Sequence, residues 1–306
     1  MASISHAIRM GSAHFLRLMP DVKGRGTVAK LIAKYFPPPL DDAIVWTSMR
    51  LGHQILVDLR SETELVAYYT GDYESKLIKA ALKLIRPDSV VLDVGANIGL
   101  WTVPLARALS PAGCLHAFEP IPQNFARLEK NIGGNDIRAV VQLHRIGLSD
   151  TQASISMALR EDFQNGAETG NASIVINSND GRFPWVDIAV VPLDGDLFHS
   201  LKIDRIDFIK IDIEGHEDKF LSGAMNILQR FRPIIFLEIN DYYYHQRHID
   251  PSEVFGNLMR KLNYAAALER SGRWRLDGIQ NRDRDFANIF YLPAERANDL
   301  IRILNT

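Results

Sequence analysis

The amino-acid sequence predicts a doubly wound α/β fold, in which helices cover both faces of a mostly parallel sheet. Two observations predict it. Short runs of buried-type aliphatic residues alternate with helical patterns between residues 74 and 240, which is typical of βαβ units. A glycine-containing turn directly follows the first of these strands, where open parallel sheets bind their ligands. With 306 residues, the chain is long enough to bury a full core.

The first seventy residues are predicted to form a helical or irregular extension, and the sheet domain is predicted to span residues 71–306. Residues 1–40 are mixed in character and end in Pro37-Pro38-Pro39, a break that cannot lie inside a helix. Between residues 44 and 69 we expect short strands or irregular structure, with strands at 44–46 and 54–57.

The sheet domain is predicted from five strands that alternate with helices. Parallel strands are expected at residues 90–94, 115–119, 140–146, 206–212 and 234–239. Helices are expected at 74–85, 98–109, 122–132 and 217–231. Strands at 264–268 and 288–292 are expected to close the sheet as a hairpin. Residues 151–192 interrupt the alternation, so we interpret them as an insertion in which segments 154–157 and 186–191 pair as strands.

Composition excludes several classes of protein. The net charge of −2 gives no reason to expect a nucleic-acid partner, which usually requires a basic surface. The single cysteine, Cys114, rules out an internal disulfide. No apolar run approaches the roughly 20 residues needed to cross a bilayer, and charged residues interrupt the amino terminus where a signal peptide would be apolar. We therefore expect a cytoplasmic protein, with homo-oligomerisation left open.

The turn after the first predicted strand reads Asp93-Val94-Gly95-Ala96-Asn97-Ile98-Gly99. Gly95 allows a tight turn and a close approach of the backbone, Gly99 allows the helix to pack near the strand, and Asn97 can cap that helix. The Gly-x-x-x-Gly spacing differs from the Gly-x-Gly-x-x-Gly of dinucleotide binders. Asp93 would repel phosphates and suits a ligand with a cationic amino group. These features indicate S-adenosylmethionine.

Glu119 ends the second predicted strand, the position from which an acid accepts hydrogen bonds from both hydroxyls of a ribose. Glycines and acids occur in the turns of any βαβ protein, so each residue alone is a weak signal. The combination of the turn with Glu119-Pro120, all in register with strand ends, favours a cofactor site.

At these residues the sequence resembles the FkbM-type family of methyltransferases, which have the Rossmann-like class I methyltransferase fold with a seven-stranded sheet. The resemblance covers about residues 68–240. The matching stretches are Gly71-Asp72-Tyr73-Glu74, Val91–Gly99, Ala117-Phe118-Glu119-Pro120, Gly147-Leu148-Ser149-Asp150, Val191-Pro192-Leu193-Asp194 and Ile209–Glu217.

The resemblance implies S-adenosylmethionine as cofactor and transfer of its methyl group to a hydroxyl of a sugar, glycan or polyketide-like small molecule. Gly147 stands where the family usually has alanine. The cofactor-binding residues expected from the turn and the resemblance together are Glu74, Asp93, Gly95, Ala96, Asn97, Gly99, Glu119, Pro120, Gly147, Leu148 and Asp212.

Candidate catalytic residues follow the fourth predicted strand. Alternation along Ile211-Asp212-Ile213-Glu214 points both acids to one side of the chain. His216 titrates near neutrality and can accept a proton. We therefore predict Asp212, Glu214 and His216 as catalytic residues. Glu217 is interpreted as a residue that favours the start of a helix.

Residues after the fifth predicted strand are candidates for binding the acceptor. Glu238, Asn240 and Tyr243 are predicted to contact it, since carboxylates, amides and aromatic rings with polar tips suit a polyol. The tyrosine run at 242–244 is equally compatible with packing. Oxygen ligands here could also bind Mg²⁺, but we predict no metal, because the same groups can hold sugar hydroxyls.

Three function classes remain open: a small-molecule or glycan O-methyltransferase, a methyltransferase acting on RNA or protein, and a non-catalytic module that retains the fold. The acidic charge balance and the absence of an Asn-Pro-Pro-Tyr-like motif after the fourth strand count against the second class. The intact cofactor turn and the acids at 212 and 214 count against the third.

Overall fold

In the computed structural model, the described residues are 2–19, 24–37, 43–174, 181–283 and 285–306, with side chains described from residue 8 onward. Pro38 and Pro39 of the predicted break therefore lie outside the described residues. The amino-terminal elements are helices α1 (Ala2–Leu18) and α2 (Arg25–Tyr35), strands β1 (Ile44–Ser48) and β2 (Gln54–Asp58), and helix α3 (Glu62–Thr70). Helix α3 replaces the short strands or irregular structure expected up to residue 69.

The sheet domain begins with α4 (Ser75–Leu84), β3 (Val90–Val94), α5 (Thr102–Ala108), β4 (Cys114–Phe118), α6 (Pro122–Gly133) and β5 (Val140–His144). The insertion contains β6 (Gly147–Leu148), β7 (Ala153–Leu159), α7 (Glu161–Gln164), β8 (Ala172–Ile174) and β9 (Trp185–Val191). The rest of the chain forms α8 (Asp196–Leu201), β10 (Phe208–Ile211), α9 (Glu217–Ser222), α10 (Met225–Phe231), β11 (Ile234–Asn240), α11 (Asp241–Gln246), α12 (Pro251–Leu262), β12 (Tyr264–Arg270), β13 (Arg273–Leu276), β14 (Phe286–Pro293) and α13 (Ala297–Leu304).

The central sheet confirms the doubly wound α/β prediction. Its strand order is β13-β12-β14-β11-β10-β3-β4-β5, and β11, β10, β3, β4 and β5 are parallel to one another. Strand β3 explains why these runs are so apolar: Val91 packs on one face of the sheet, whereas Leu92 and Val94 pack on the other. The order reverses between β3 and β10, which is the switch point at which such sheets bind ligands.

The carboxyl-terminal part differs from the predicted hairpin. Strands β12 and β14 are antiparallel neighbours, as expected, but β13 adds an eighth strand at the edge, paired with β12. The short β13 escaped prediction because its pattern is mostly exposed. Trp274 provides its anchor, since the indole packs edge-on against Phe290 with ring centroids 4.8 Å apart.

The predicted helices at 98–109 and 217–231 are also shorter than expected. Positive φ angles at Asn97 and Gly99 continue the turn, so α5 begins only at Thr102. The second helix is divided into α9 and α10 around Gly223, where an added Cβ would lie 1.9 Å from the carbonyl oxygen of Ser149. This close backbone contact is a long-range constraint that helical periodicity does not reveal.

The insertion forms its own four-stranded sheet in the order β6-β9-β7-β8. Strands β7 and β9 are antiparallel, as predicted.

The amino-terminal elements share a core with the start of the sheet domain, because buried residues of β2 and α3 pack with Ile98, Leu100 and Val103. The division of the chain at residue 70 remains a prediction. In the described part of the chain, no helix is long and apolar enough to cross a membrane.

Candidate active site

A cavity lies at the carboxyl ends of β3, β4, β10 and β11, beside the switch point. Of the residues predicted from the sequence, those that line it are Gly95, Ala96, Asn97, Glu119, Pro120, Leu148, Asp212, Glu214, His216 and Glu238. The insertion adds an apolar wall that consists of Ile155, Met157, Ile174, Ile188 and Val190. Ser61, Thr63 and Glu64 extend the wall from the amino-terminal elements.

The turn after β3 is held in place by backbone contacts. The amides of Gly95 and Ala96 both donate to the carbonyl oxygen of Phe118, at 3.0 Å each. Gly95 has a φ of +79°, and a Cβ there would lie 1.9 Å from the carbonyl oxygen of Asp212. Only glycine therefore fits at this position. The backbone of the turn directly contacts the backbone at the end of β10. We call these two backbone segments the backbone cradle.

Glu119 is buried and positioned by two backbone donors. Its Oε2 accepts from the amide of Asn97 and its Oε1 accepts from the amide of Ile121, both at 2.9 Å. Each carboxylate oxygen has a second lone pair, so both oxygens can still accept a hydroxyl. Burial raises the pKa of Glu119 to about 7, although the two backbone hydrogen bonds oppose this shift.

Asp93 lies beneath the turn, where it is fully buried. Its Oδ2 accepts from the Thr102 hydroxyl at 2.7 Å, and its Oδ1 lies 3.5 Å from Nζ of Lys210. This carboxylate, predicted to face a cationic ligand, therefore contacts a cation of the protein itself. Its assignment to the cofactor remains a prediction.

Lys210 is a residue of the site that the sequence analysis missed. Its ammonium donates to the carbonyl oxygen of Gly95 at 2.7 Å and lies 3.5 Å from Oδ2 of Asp212. Burial lowers its pKa, but the charges of Asp212 and Asp93 outweigh this and raise it. A lysine within the apolar run of β10 was the available signal, because a lysine is almost never buried without a partner.

Acids cluster around Lys210 and Asp212. Burial and the charge of Asp212 raise the pKa of Glu214 to about 8, and the same two causes raise the pKa of Glu238 well above its ordinary value. Glu74 accepts from the indole Nε1 of Trp101 at 2.8 Å, and burial raises its pKa in spite of this hydrogen bond. The cluster concentrates carboxyl groups around one lysine, so it suits a cationic ligand.

His216 lines the cavity with its ring nitrogen Nε2 at 2.8 Å from the hydroxyl of Ser149. Burial lowers the pKa of His216 to about 4, so the imidazole is neutral at pH 7 and a weaker base than a free histidine. Glu217 begins α9 and shapes the preceding loop, because its Oε1 accepts from the amides of Ile213 and Gly215.

Four predicted residues are not among those that line the cavity. Asn240 caps α11 by accepting from the amide of Tyr242 at 3.1 Å. Tyr243 packs under the loop, since a Cβ at Gly215 would lie 2.3 Å from its Cβ. Added Cβ atoms at Gly99 and Gly147 would lie 2.8 Å from Leu128 and 2.9 Å from Val190. The crowding at Gly147 is a physical reason for glycine at this position.

The insertion contacts both the amino-terminal elements and α6 beside the cavity. Glu64 accepts from the hydroxyl of Thr169 and from the amide of Asp58, both at 2.6 Å. Asn124 exchanges two hydrogen bonds with the backbone of Gly170, at 2.9 and 3.2 Å. These contacts join segments up to about a hundred positions apart, so the sequence could not assign Glu64 to the site.

The buried glutamates give a testable pH dependence. Burial raises the pKa values of Glu64, Glu119 and Glu217 to about 7 and that of Glu214 to about 8. A raised pKa means that the folded state holds a proton that the unfolded state releases, so this stabilisation is lost as pH rises through the folded pKa. We expect the free energy of unfolding of the ligand-free protein to fall by about 1–3 kcal/mol between pH 6.5 and 8.5. Denaturant titrations at a series of pH values measure it.

Histidines set the lower limit of this pH window. Burial lowers the pKa values of His53, His116 and His216 to about 4, so they add stability as pH rises towards 6.5 and oppose the glutamates there. The unfolded histidines lose their remaining protons between pH 6.5 and about 7.5, so the histidines still oppose the glutamates in that range, and above it only the glutamates contribute. Glu64→Gln, whose amide can satisfy both Thr169 and Asp58, should reduce the slope above pH 6.5. A stability that rises with pH across this window would contradict the prediction.

Among the described residues, no group of three or more histidines, cysteines, aspartates and glutamates is arranged to hold a metal ion.

Residues 93–268 match the family model described as the methyltransferase FkbM domain.

Three relatives are similar in sequence to this chain. The hexuronic acid methyltransferase AglP of Haloferax volcanii is 29% identical over 214 residues, which cover 70% of this chain and 75% of that protein. AMB antimetabolite synthetase AmbE of Pseudomonas aeruginosa is 27% identical over 231 residues, covering 66% of this chain and 10% of that protein. The 2-O-methyltransferase NoeI of Sinorhizobium fredii is 28% identical over 172 residues, covering 52% and 66%. The chain thus spans from a tenth to three quarters of these relatives.

Proposed function

Because this chain belongs to the family of FkbM methyltransferase domains, we propose that it is an S-adenosylmethionine-dependent O-methyltransferase. Its acceptor would be a hydroxyl of a sugar, glycan or polyketide-like small molecule. The observation that carries the proposal is the arrangement of one cavity. Glu119 lies on one side of the Gly95–Asn97 turn, and the acids Asp212 and Glu238 lie on the other.

The residues of the cavity fit this cofactor. The backbone cradle at Gly95 leaves no room for a side chain, and the free lone pairs of Glu119 match the two hydroxyls of a ribose. Pro120, Ile121 and Leu148 provide apolar surface next to Glu119 for an adenine ring. Of the acids around Lys210, Asp93 and Glu74 complement the ammonium group of the amino acid portion. When bound, S-adenosylmethionine supplies a methyl group that its sulfonium centre already activates.

The remaining catalytic work is positioning and removal of one proton. Holding two reactants in alignment can contribute about 7–11 kcal/mol. We assign Asp212 to orient the acceptor hydroxyl and accept its proton, because Asp212 lines the cavity at the end of β10 and is 22% exposed. Glu214, with its pKa raised to about 8, is mostly protonated at pH 7 and can donate a hydrogen bond to the acceptor. His216, with its pKa lowered to about 4, is the weaker candidate base.

Names of the relatives support a carbohydrate acceptor: one is a hexuronic acid methyltransferase and another a 2-O-methyltransferase. The apolar wall from the insertion is equally suited to a polyketide-like body. We further propose that the acceptor is a small molecule or glycan rather than nucleic acid, and that the protein acts in the cytoplasm.

Transfer of a labelled methyl group tests the proposed activity. The protein is incubated with labelled S-adenosylmethionine and separate panels of uronic acids, oligosaccharides, polyketide alcohols, RNA and protein. We expect label only in the first three panels. Label confined to RNA or protein would favour the second function class, and failure to bind S-adenosylmethionine in calorimetry would favour a non-catalytic module.

Glu119→Ala tests the proposed cofactor seat. We expect the variant to bind S-adenosylmethionine about 1–3 kcal/mol more weakly, because two hydrogen bonds to a charged acceptor are lost. Isothermal titration calorimetry measures the change. Glu129→Ala, an exposed acid on the neighbouring α6, is the matched control and should bind normally. An affinity equal to that of the native protein would remove Glu119 from the cofactor site.

A further inference from the structure

Helices α1 and α2 expose an unusual amount of apolar surface. The described residues expose thirteen large apolar side chains, and six of these belong to the two helices: Met10, Phe15, Leu18, Val28, Leu31 and Tyr35. The helices span only 17 and 11 residues, so the enrichment is strong. Phe15, Leu18 and Tyr35 are 64%, 72% and 69% exposed.

Four of these side chains, Phe15, Val28, Leu31 and Tyr35, are joined by a shared groove or by helical spacing. On α2, the spacing of Val28, Leu31 and Tyr35 places all three on one face of the helix. Phe15 and Val28 line a common groove between α1 and α2, which joins the two helices into one surface. Soluble proteins rarely expose large contiguous apolar patches unless the patch binds something.

The opposite faces of the two helices are packed normally. Ala13, Leu16 and Ala29 are buried in a core shared with α3, and Gly26 lies against the side chain of Val66. The exposed patch is therefore the outer face of two helices whose inner faces pack against the rest of the protein.

The charge of this surface identifies the occupant. The two helices carry five cations and no aspartate or glutamate, whereas the whole chain has a net charge of −2. Arg9 and Arg25 are turned inward, and Lys30 is paired with Glu62 of α3. The accessible positive charge therefore comes from Lys34 and from Arg17, which is half-buried and donates to the carbonyl oxygen of Tyr68 at 3.1 Å. Arg50 adds a further cation at the end of α1, where it donates to the carbonyl oxygens of Arg17 and Met19.

We propose that α1 and α2 dock this protein on the surface of an anionic lipid bilayer. The apolar side chains enter the boundary between headgroups and acyl chains, and the surrounding lysines and arginines contact lipid phosphates. Helices with an apolar face and a basic margin bind membranes in this way. A second copy of the chain fits less well, because a two-fold interface would bring the same basic margin against itself.

Docking would also place the candidate active site close to the bilayer. Helix α3 packs against both α1 and α2, and the residues at its start, Ser61, Thr63 and Glu64, line the cavity. The inference about docking goes beyond the proposed methyl transfer and does not depend on it.

Vesicle co-sedimentation of the full chain tests the docking. One set of vesicles contains equal parts of phosphatidylglycerol and phosphatidylcholine, and the other contains phosphatidylcholine alone. We expect the protein to sediment with the anionic set and to be released by high salt. The double variant Phe15→Ser/Leu18→Ser should bind at least about tenfold more weakly, because the favourable transfer of two large apolar side chains out of water is lost.

The control is Val140→Ser/Ile303→Ser, which removes apolar side chains that are 51% and 40% exposed elsewhere and should bind vesicles normally. Both double variants should keep the native melting temperature, since they change exposed positions. Three results would overturn the proposal: no sedimentation with anionic vesicles, equal loss of binding in both variants, or a dimer that Phe15→Ser/Leu18→Ser dissociates while vesicles do not bind.

Discussion

Asp212→Asn is expected to lower the rate of methyl transfer by about 10²–10⁴-fold, the usual contribution of a general base, while S-adenosylmethionine affinity stays within a few-fold. The asparagine keeps the size of the side chain at the end of β10 but cannot accept the hydroxyl proton. The cofactor turn is held by the amides of Gly95 and Ala96 on Phe118, and the substitution leaves those bonds in place. Single-turnover kinetics and calorimetry separate the two effects.

Asp299→Asn provides the matched control, because it makes the same change at a carboxylate that is 79% exposed on α13. Native turnover in Asp212→Asn, on an acceptor that the native enzyme methylates, would move the chemistry elsewhere. A parallel loss of cofactor affinity would make Asp212 a cofactor ligand or scaffold residue. Loss of activity with a chelator, restored by Mg²⁺, would make Asp212 a metal ligand.

Lys210→Met is expected to have the largest effect on stability, lowering the free energy of unfolding by about 3–5 kcal/mol, as removal of one partner of a buried ion pair usually does. Asp93 would remain fully buried with its Oδ1 without a hydrogen-bond partner. The carbonyl oxygen of Gly95 would lose its 2.7 Å donor, so we also expect weaker binding of S-adenosylmethionine. Denaturant unfolding and calorimetry measure the two losses.

A double variant separates the partners of Lys210. Lys210→Met/Asp93→Asn should recover part of the lost stability, because it removes the stranded carboxylate charge together with its cation. It should not recover cofactor affinity if the hydrogen bond to Gly95 carries that effect. A single variant as stable as the native protein would show that Lys210 does not hold the turn. A double variant with no recovery would make Asp212 the main electrostatic partner.

Local patterns in the sequence predicted the central sheet well. The five parallel strands were found because short strand-like runs alternate with helices, and three of them, β3, β10 and β11, are buried on both faces. The turn at Gly95 and the acid at Glu119 were found because strand ends place such residues at one edge of the sheet. Periodicity did not reveal three features: the edge strand β13, the division between α9 and α10 at Gly223, and helix α3. The boundaries of these elements depend on contacts with distant segments.

The sequence by itself therefore determined the fold class and the edge of the sheet where the site lies, because strand and turn patterns are local. The tertiary structure alone decided which side chains line the cavity. It placed Lys210 between Asp93 and Asp212, placed Asn240 at the start of α11 and Tyr243 against Gly215, and brought Glu64 to the cavity wall. These outcomes depend mainly on burial and on contacts between residues far apart in the chain, such as Asp93 with Lys210 and Glu64 with Thr169.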